Sequence, residues 1–132
     1  MTWIAAEGKS ILGFATIVAS EIEIEDLPKT TKKRISPYPL PILRLARLAV
    51  HQDARESGVG KMLLRAVFLQ AHEMAKRYGC IGVVVDAKPE AVEYYKKLGF
   101  DFLEVTEGCL QDRPQPIPMF IPLGKIPRPT ER

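Results

Sequence analysis

Cysteine is scarce in this chain. Its 132 residues include two, Cys80 and Cys109. That is too few for a disulfide framework, so a reduced, cytoplasmic setting is the expectation. Neither cysteine has a Cys or His partner at ligand spacing, and no metal site is expected. Long apolar runs are also missing; none approaches the ~20 residues that a membrane-spanning helix needs. The first residues lack a basic segment leading into an apolar one, which argues against a secretory leader. Neither sign of charge dominates. The net charge is +3, a weak hint of an anionic ligand. The pattern Gly-x-x-x-x-Gly-Lys-Ser/Thr does not occur, which excludes a P-loop NTPase.

What is present is the composition of a globular protein, 46% hydrophobic and 27% charged, and residues 1–132 are read as one domain with a real core. Residues 3–6 and 11–19 read as a hairpin around the turn Glu7-Gly8-Lys9-Ser10. Glu21 to Glu25 alternates polar and apolar, as a half-exposed strand does. Residues 41–50 are apolar on both faces and read as a central strand. Arg44 and Arg47 interrupt it. A regular strand would point them to opposite faces, and a β-bulge between them would re-aim one.

Leu63, Val67, Ala71, Met74 and Tyr78 recur near a 3.6-residue period, which predicts a helix over 60–78 closed by Gly79. An apolar strand at 81–85 follows. Pro89 then opens a second helix that ends at Gly99, and a strand begins at Phe100. A Pro-rich tail from about residue 111 leaves room for one edge strand, 119–121. The order is β-β-β-α-β-α-β-β. This is an α/β (α+β) fold with a single mixed, mostly antiparallel sheet around a central parallel β-α-β unit.

The loop between the central strand and the long helix reads Arg55-Glu56-Ser57-Gly58-Val59-Gly60-Lys61. Glycines at this spacing let backbone approach a ligand, and the helix that follows offers free N–H groups and a positive dipole end. Such a loop can cradle a phosphate; it can equally be a tight strand-to-helix turn. Tyr94-Tyr95 on the second helix are, on composition alone, core aromatics.

Together these segments resemble the GNAT superfamily of N-acetyltransferases. The marks are Leu48-Ala49-Val50 followed by Arg55-x-x-Gly58-x-Gly60, then Tyr94-Tyr95-Lys96-Lys97-Leu98-Gly99-Phe100. The match is strongest over residues 44–100. The resemblance implies the acyl-CoA N-acyltransferase fold and acetyl-CoA (coenzyme A) held between strands 41–50 and 81–85. Leu48, Ala49 and Val50 would line its pantetheine arm. The loop Arg55, Glu56, Ser57, Gly58, Val59, Gly60 and Lys61 would hold its pyrophosphate. Tyr95 would protonate the leaving thiolate as a primary amine attacks the thioester, with Tyr94 as its core partner. Glu56 departs from the family pattern by putting a carboxylate in the phosphate loop.

The general base stays open between His51, the glutamates at 21, 23 and 25, and a water chain. Members usually carry another strand and one or two helices before the position of Trp3; this sequence lacks them. A non-catalytic, truncated module that binds coenzyme A or a partner protein is therefore the alternative to an enzyme.

Leu12-Gly13-Phe14, the stretch Ile22 to Pro28, Tyr38-Pro39-Leu40-Pro41, Arg47-Leu48-Ala49-Val50 and Pro118-Met119-Phe120 further resemble the acetyltransferase toxins of toxin–antitoxin pairs. Those relatives acetylate aminoacyl-tRNA and are silenced by an antitoxin. The resemblance implies that Lys32, Lys33 and Arg34, with Lys29, and Arg44 and Arg47 meet RNA phosphates, with marked salt dependence. A solvated basic loop and two paired arginines are the plainer reading. An exposed sheet edge would suit a homodimer.

Overall fold

The turn at Gly8 and Lys9 joins β1 (Thr2–Glu7) to β2 (Ser10–Ile22), and the two pair antiparallel. This computed structural model describes residues 1–22, 40–51, 58–103 and 117–126. β3 (Leu40–Val50) pairs antiparallel with β2 and parallel with β4 (Gly82–Ala87). Helix α1 (Val59–Tyr78) makes the crossover between them. A short 3-10 turn, Pro89–Ala91, leads into α2 (Val92–Leu98). β5 (Asp101–Phe102) and β6 (Ile117–Pro122) complete a six-stranded sheet in the order β1-β2-β3-β4-β6-β5. Glu21 and Ile22 extend β2 instead of opening a strand of their own, and residues 23–25 lie outside the described residues; the order β-β-β-α-β-α-β-β and the parallel pair of β3 with β4 are present.

Both helices cover one face of the sheet. Ala15 and Ile17 of β2, Leu43 and Leu45 of β3, and Val83 and Val85 of β4 are buried there with Leu63, Leu64, Val67 and Ala71 of α1. Each strand contributes every second residue, as pleating requires. The opposite face buries a smaller group, Ile22, Ile42, Val84 and Phe120. Tyr78, expected on the apolar stripe of α1, is 71% exposed. The helix's last turn runs past the end of the sheet, and Gly79 closes it by donating to the Ala75 carbonyl at 3.2 Å.

The expectation of an edge strand at 119–121 is corrected. β6 lies inside the sheet, between β4 and β5, with Met119, Phe120 and Ile121 fully buried. Its prolines tolerate this because of the antiparallel alternation. Pro118 accepts from Leu103 at 3.3 Å on the β5 side. Pro118 and Pro122, four apart, therefore both turn their missing N–H away from β4. The partner on that side, β5, is two residues long, so little hydrogen bonding is lost.

Candidate active site

Strands β3 and β4 pair at three positions only, Leu43 with Val83, Arg44 with Val84 and Leu45 with Val85. Beyond them the strands part. β3 continues to Val50 against β2 alone, and β4 continues to Ala87 against β6 alone. The sheet is thus split by a V that opens toward the start of α1.

A bulge marks the point where the V opens. Thr16 pairs with Arg47 and Ile17 with Leu45, so β3 carries one extra residue, Ala46. The bulge brings Arg44 and Arg47 to one face, the face away from the helices, because their partners Val18 and Thr16 are two residues apart on β2. Arg44 is engaged there. Its Nη1 donates to both carboxylate oxygens of Asp86 at 2.8 Å. Arg47 is exposed.

The alternation also orients the backbone along the V. The His51 N–H donates to Leu12 of β2 at 2.6 Å. Ala49 therefore faces β2, and the N–H and C=O groups of Leu48 and Val50 face the opening. Their side chains pack against the helix-side core. An extended ligand with amides of its own could pair with this edge as a strand would.

At the mouth of the V stands the N-terminus of α1. Gly58 caps it in the left-handed conformation, φ 85°, which a side chain would strain. The first helical bond runs from the Met62 N–H to Gly58 at 3.0 Å. The N–H groups of Val59, Gly60 and Lys61 thus precede the ladder, with no side-chain cap among the described residues and no acidic residue in the first turn. This end of the helix favours an anion. Lys61 is exposed beside it. Arg55, Glu56 and Ser57 lie outside the described residues, as do Lys29, Lys32, Lys33 and Arg34.

Helix α2 delivers the two tyrosines, and Tyr94, expected as the core partner, is the more exposed of the two. Tyr95 is 5% exposed and Tyr94 is 39% exposed. Their positions on α2, about 100° apart, turn Tyr95 to the sheet and Tyr94 to the rim. Tyr95 meets Tyr94 and Phe100 edge-on, each at 5.4 Å between ring centres. Burial, and then the neighbouring Tyr94, push its pKa up to about 12. No described residue bonds its hydroxyl, which remains a neutral donor at physiological pH. The Tyr94 hydroxyl reaches to within 3.8 Å of where a Cβ on Gly60 would stand, and Val50 Cγ2 lies 3.6 Å from the same point. The end of β3, the start of α1 and a side chain of α2 therefore converge at the mouth of the V.

Two contributors were not singled out from the sequence as site residues. Asp86 is one; its signal was an acid at the end of an apolar strand. Tyr94 as a rim residue is the other, and nothing in the sequence separates it from Tyr95.

Residues 1–101 match the acetyltransferase (GNAT) domain family. A tRNA-acetylating toxin of Mycobacterium tuberculosis (strain ATCC 25618 / H37Rv) is 29% identical over 93 residues, 70% of this chain and 54% of the relative. The chain thus spans about half the length of that curated relative. Among solved structures, a tyrosine-to-phenylalanine mutant of KacT superposes with a TM-score of 0.76 at 28% identity, over 95% of this chain and 72% of that one. AtaT complexed with acetyl-methionyl-tRNAfMet superposes with 0.71 at 26% identity, over 88% and 65%. AtaTR bound with acetyl-CoA superposes with 0.68 at 25% identity, over 95% and 71%.

Proposed function

Because this chain belongs to the GNAT acetyltransferase family, we propose that it transfers an acetyl group from acetyl-CoA to a primary amine, the α-amine of an aminoacyl-tRNA. The observation that carries the reading is the V between β3 and β4, with the N-terminus of α1, uncapped by any described side chain, at its mouth. The residues present suit coenzyme A. Leu48 and Val50 offer backbone groups to an amide-bearing arm, and the first turn of α1 offers N–H groups to a pyrophosphate. Ala49, Gly58, Val59, Gly60 and Lys61 border that path, and Arg55, Glu56 and Ser57 precede it in the loop.

Acetyl-CoA supplies the activated acyl group. What the chain contributes is binding along the V and a proton held at the Tyr95 Oη toward the departing sulfur. A phenol with its pKa pushed up to about 12 stays protonated and stabilises the developing thiolate by hydrogen bonding. Asp86 holds Arg44, and Arg47 is left for the acceptor's phosphates on the open face of the sheet. Lys32, Lys33 and Arg34 would add positive charge for the same acceptor. A tRNA and a small antitoxin protein are the partners this reading brings; toxin-type relatives support the first.

The test is acetyl-CoA titration followed by turnover on charged tRNA, with a small amine as control. Binding with turnover on charged tRNA is expected. Absence of acetyl-CoA binding overturns the enzyme reading. Binding without turnover on either acceptor assigns the chain to a coenzyme A-binding module.

A further inference from the structure

Tyr94 has no task in the scheme above, yet its hydroxyl has a defined place. On α2 it is half-exposed and could turn to water, but it lies across the mouth of the V instead, 3.8 Å from the Cβ position of Gly60. The ring is held there by its edge-on contact with Tyr95, at 74° between planes. No described residue bonds the hydroxyl. We propose that Tyr94 is a cofactor-positioning residue whose hydroxyl donates a hydrogen bond to a pyrophosphate oxygen of coenzyme A at the start of α1. This rests on the acetyl-CoA reading above and deepens it.

Three features support the assignment. A Cβ vector on a helix leans toward the helix N-terminus, so the point above Gly60 borders the first-turn N–H groups, which no described residue bonds. An oxygen seated beside that point, clear of the Gly60 Cα and over the first turn, would accept from the helix and from the phenol together. Glycine at position 60 leaves the space open; a side chain there would stand between hydroxyl and helix. Burial also raises the Tyr94 pKa, which keeps the hydroxyl a donor over the working pH range.

The experiment compares wild type with Tyr94→Phe, which keeps the ring and its contact with Tyr95. Calorimetric titration uses two probes, coenzyme A and pantetheine, which lacks the pyrophosphate. The variant is expected to bind coenzyme A roughly tenfold more weakly, as for a lost hydrogen bond to a charged group, and pantetheine unchanged. With a small-amine acceptor the KM for acetyl-CoA should rise and kcat should hold. Equal coenzyme A affinities, with an unchanged melting temperature, overturn the proposal and leave the cofactor reading intact. Equal losses on both probes overturn the phosphate contact. Failure of the wild-type protein to bind coenzyme A overturns the parent reading, and this one with it.

Discussion

Arg47 stands on the same face of the sheet as Arg44, three residues before it, because β3 holds one residue too many at Ala46. The two arginines then diverge in partner. Arg44 is bound by Asp86 at 2.8 Å across the parallel pair, both side chains about one third exposed (34% and 33%). Arg47 is exposed. The bulge sits where β3 leaves β4, so one local irregularity both opens the V and equips its outer face with a cation.

This contrast predicts different mutational effects. Asp86→Ala should lower stability by about 0.2–1 kcal/mol in urea unfolding, with most of the difference gone in high salt. Arg47→Ala should change stability by no more than about 0.5 kcal/mol. On charged tRNA the order reverses: Arg47→Ala should lower kcat/KM and reduce the salt slope by about one unit. An unchanged salt slope would remove Arg47 from RNA contact.

Tyr95→Phe should bind acetyl-CoA as wild type does and lose most turnover. The hydroxyl has no partner among the described residues, so its removal should cost no more than about 0.5 kcal/mol of stability. Full activity in the variant would take Tyr95 out of the mechanism.

The same burial makes a prediction about alkaline stability. A tyrosine in the unfolded chain titrates near ~10, and Tyr95 in the fold is pushed up to about 12 by burial and Tyr94. Its folded-state pKa is the raised one, so its contribution is complete below the unfolded value and is lost as pH rises through the folded one. Stability should therefore fall by about 2–3 kcal/mol between these pH values on account of this residue. Tyr95→Phe should flatten that slope in pH-dependent urea unfolding.

Much of this was legible in the chain. The hairpin, the β-α-β unit and the arginine-bracketed bulge are local or periodic, and local rules read them. Three features were not. The position of β6 between β4 and β5 depends on pairing partners far apart in sequence, and its prolines pointed to an edge. Asp86 reaches Arg44 only through the parallel register, 42 residues away. Which of two adjacent tyrosines faces the core depends on the roll of α2, and no spacing within a helix this short specifies that.

Gly82 provides a test of the sheet itself. A Cβ there would stand 2.2 Å from the Ile121 carbonyl oxygen and 2.7 Å from the Phe120 ring. Both neighbours are fully buried, so neither can give way cheaply. Gly82→Ala should destabilise by about 1–3 kcal/mol or more, as overpacking does. Thermal unfolding checks this; an unchanged midpoint would mean that β4 and β6 sit farther apart than described.

Gly60 offers the opposite case and ties stability to function. A Cβ at position 60 meets Val50 Cγ2 at 3.6 Å and the Tyr94 hydroxyl at 3.8 Å, ordinary contacts that need no adjustment. Its φ is not in the left-handed region, unlike that of Gly58. Alanine should therefore raise stability by up to about 1 kcal/mol through helix propensity alone. The same methyl would fill the space between the Tyr94 hydroxyl and the first-turn N–H groups. Gly60→Ala should melt higher than wild type yet bind coenzyme A roughly tenfold more weakly, by loss of charge-assisted hydrogen bonds. The two effects have opposite signs, so a general loss of structure cannot mimic the result. A variant that is more stable and binds equally well would show that no cofactor oxygen sits between the Tyr94 hydroxyl and this turn.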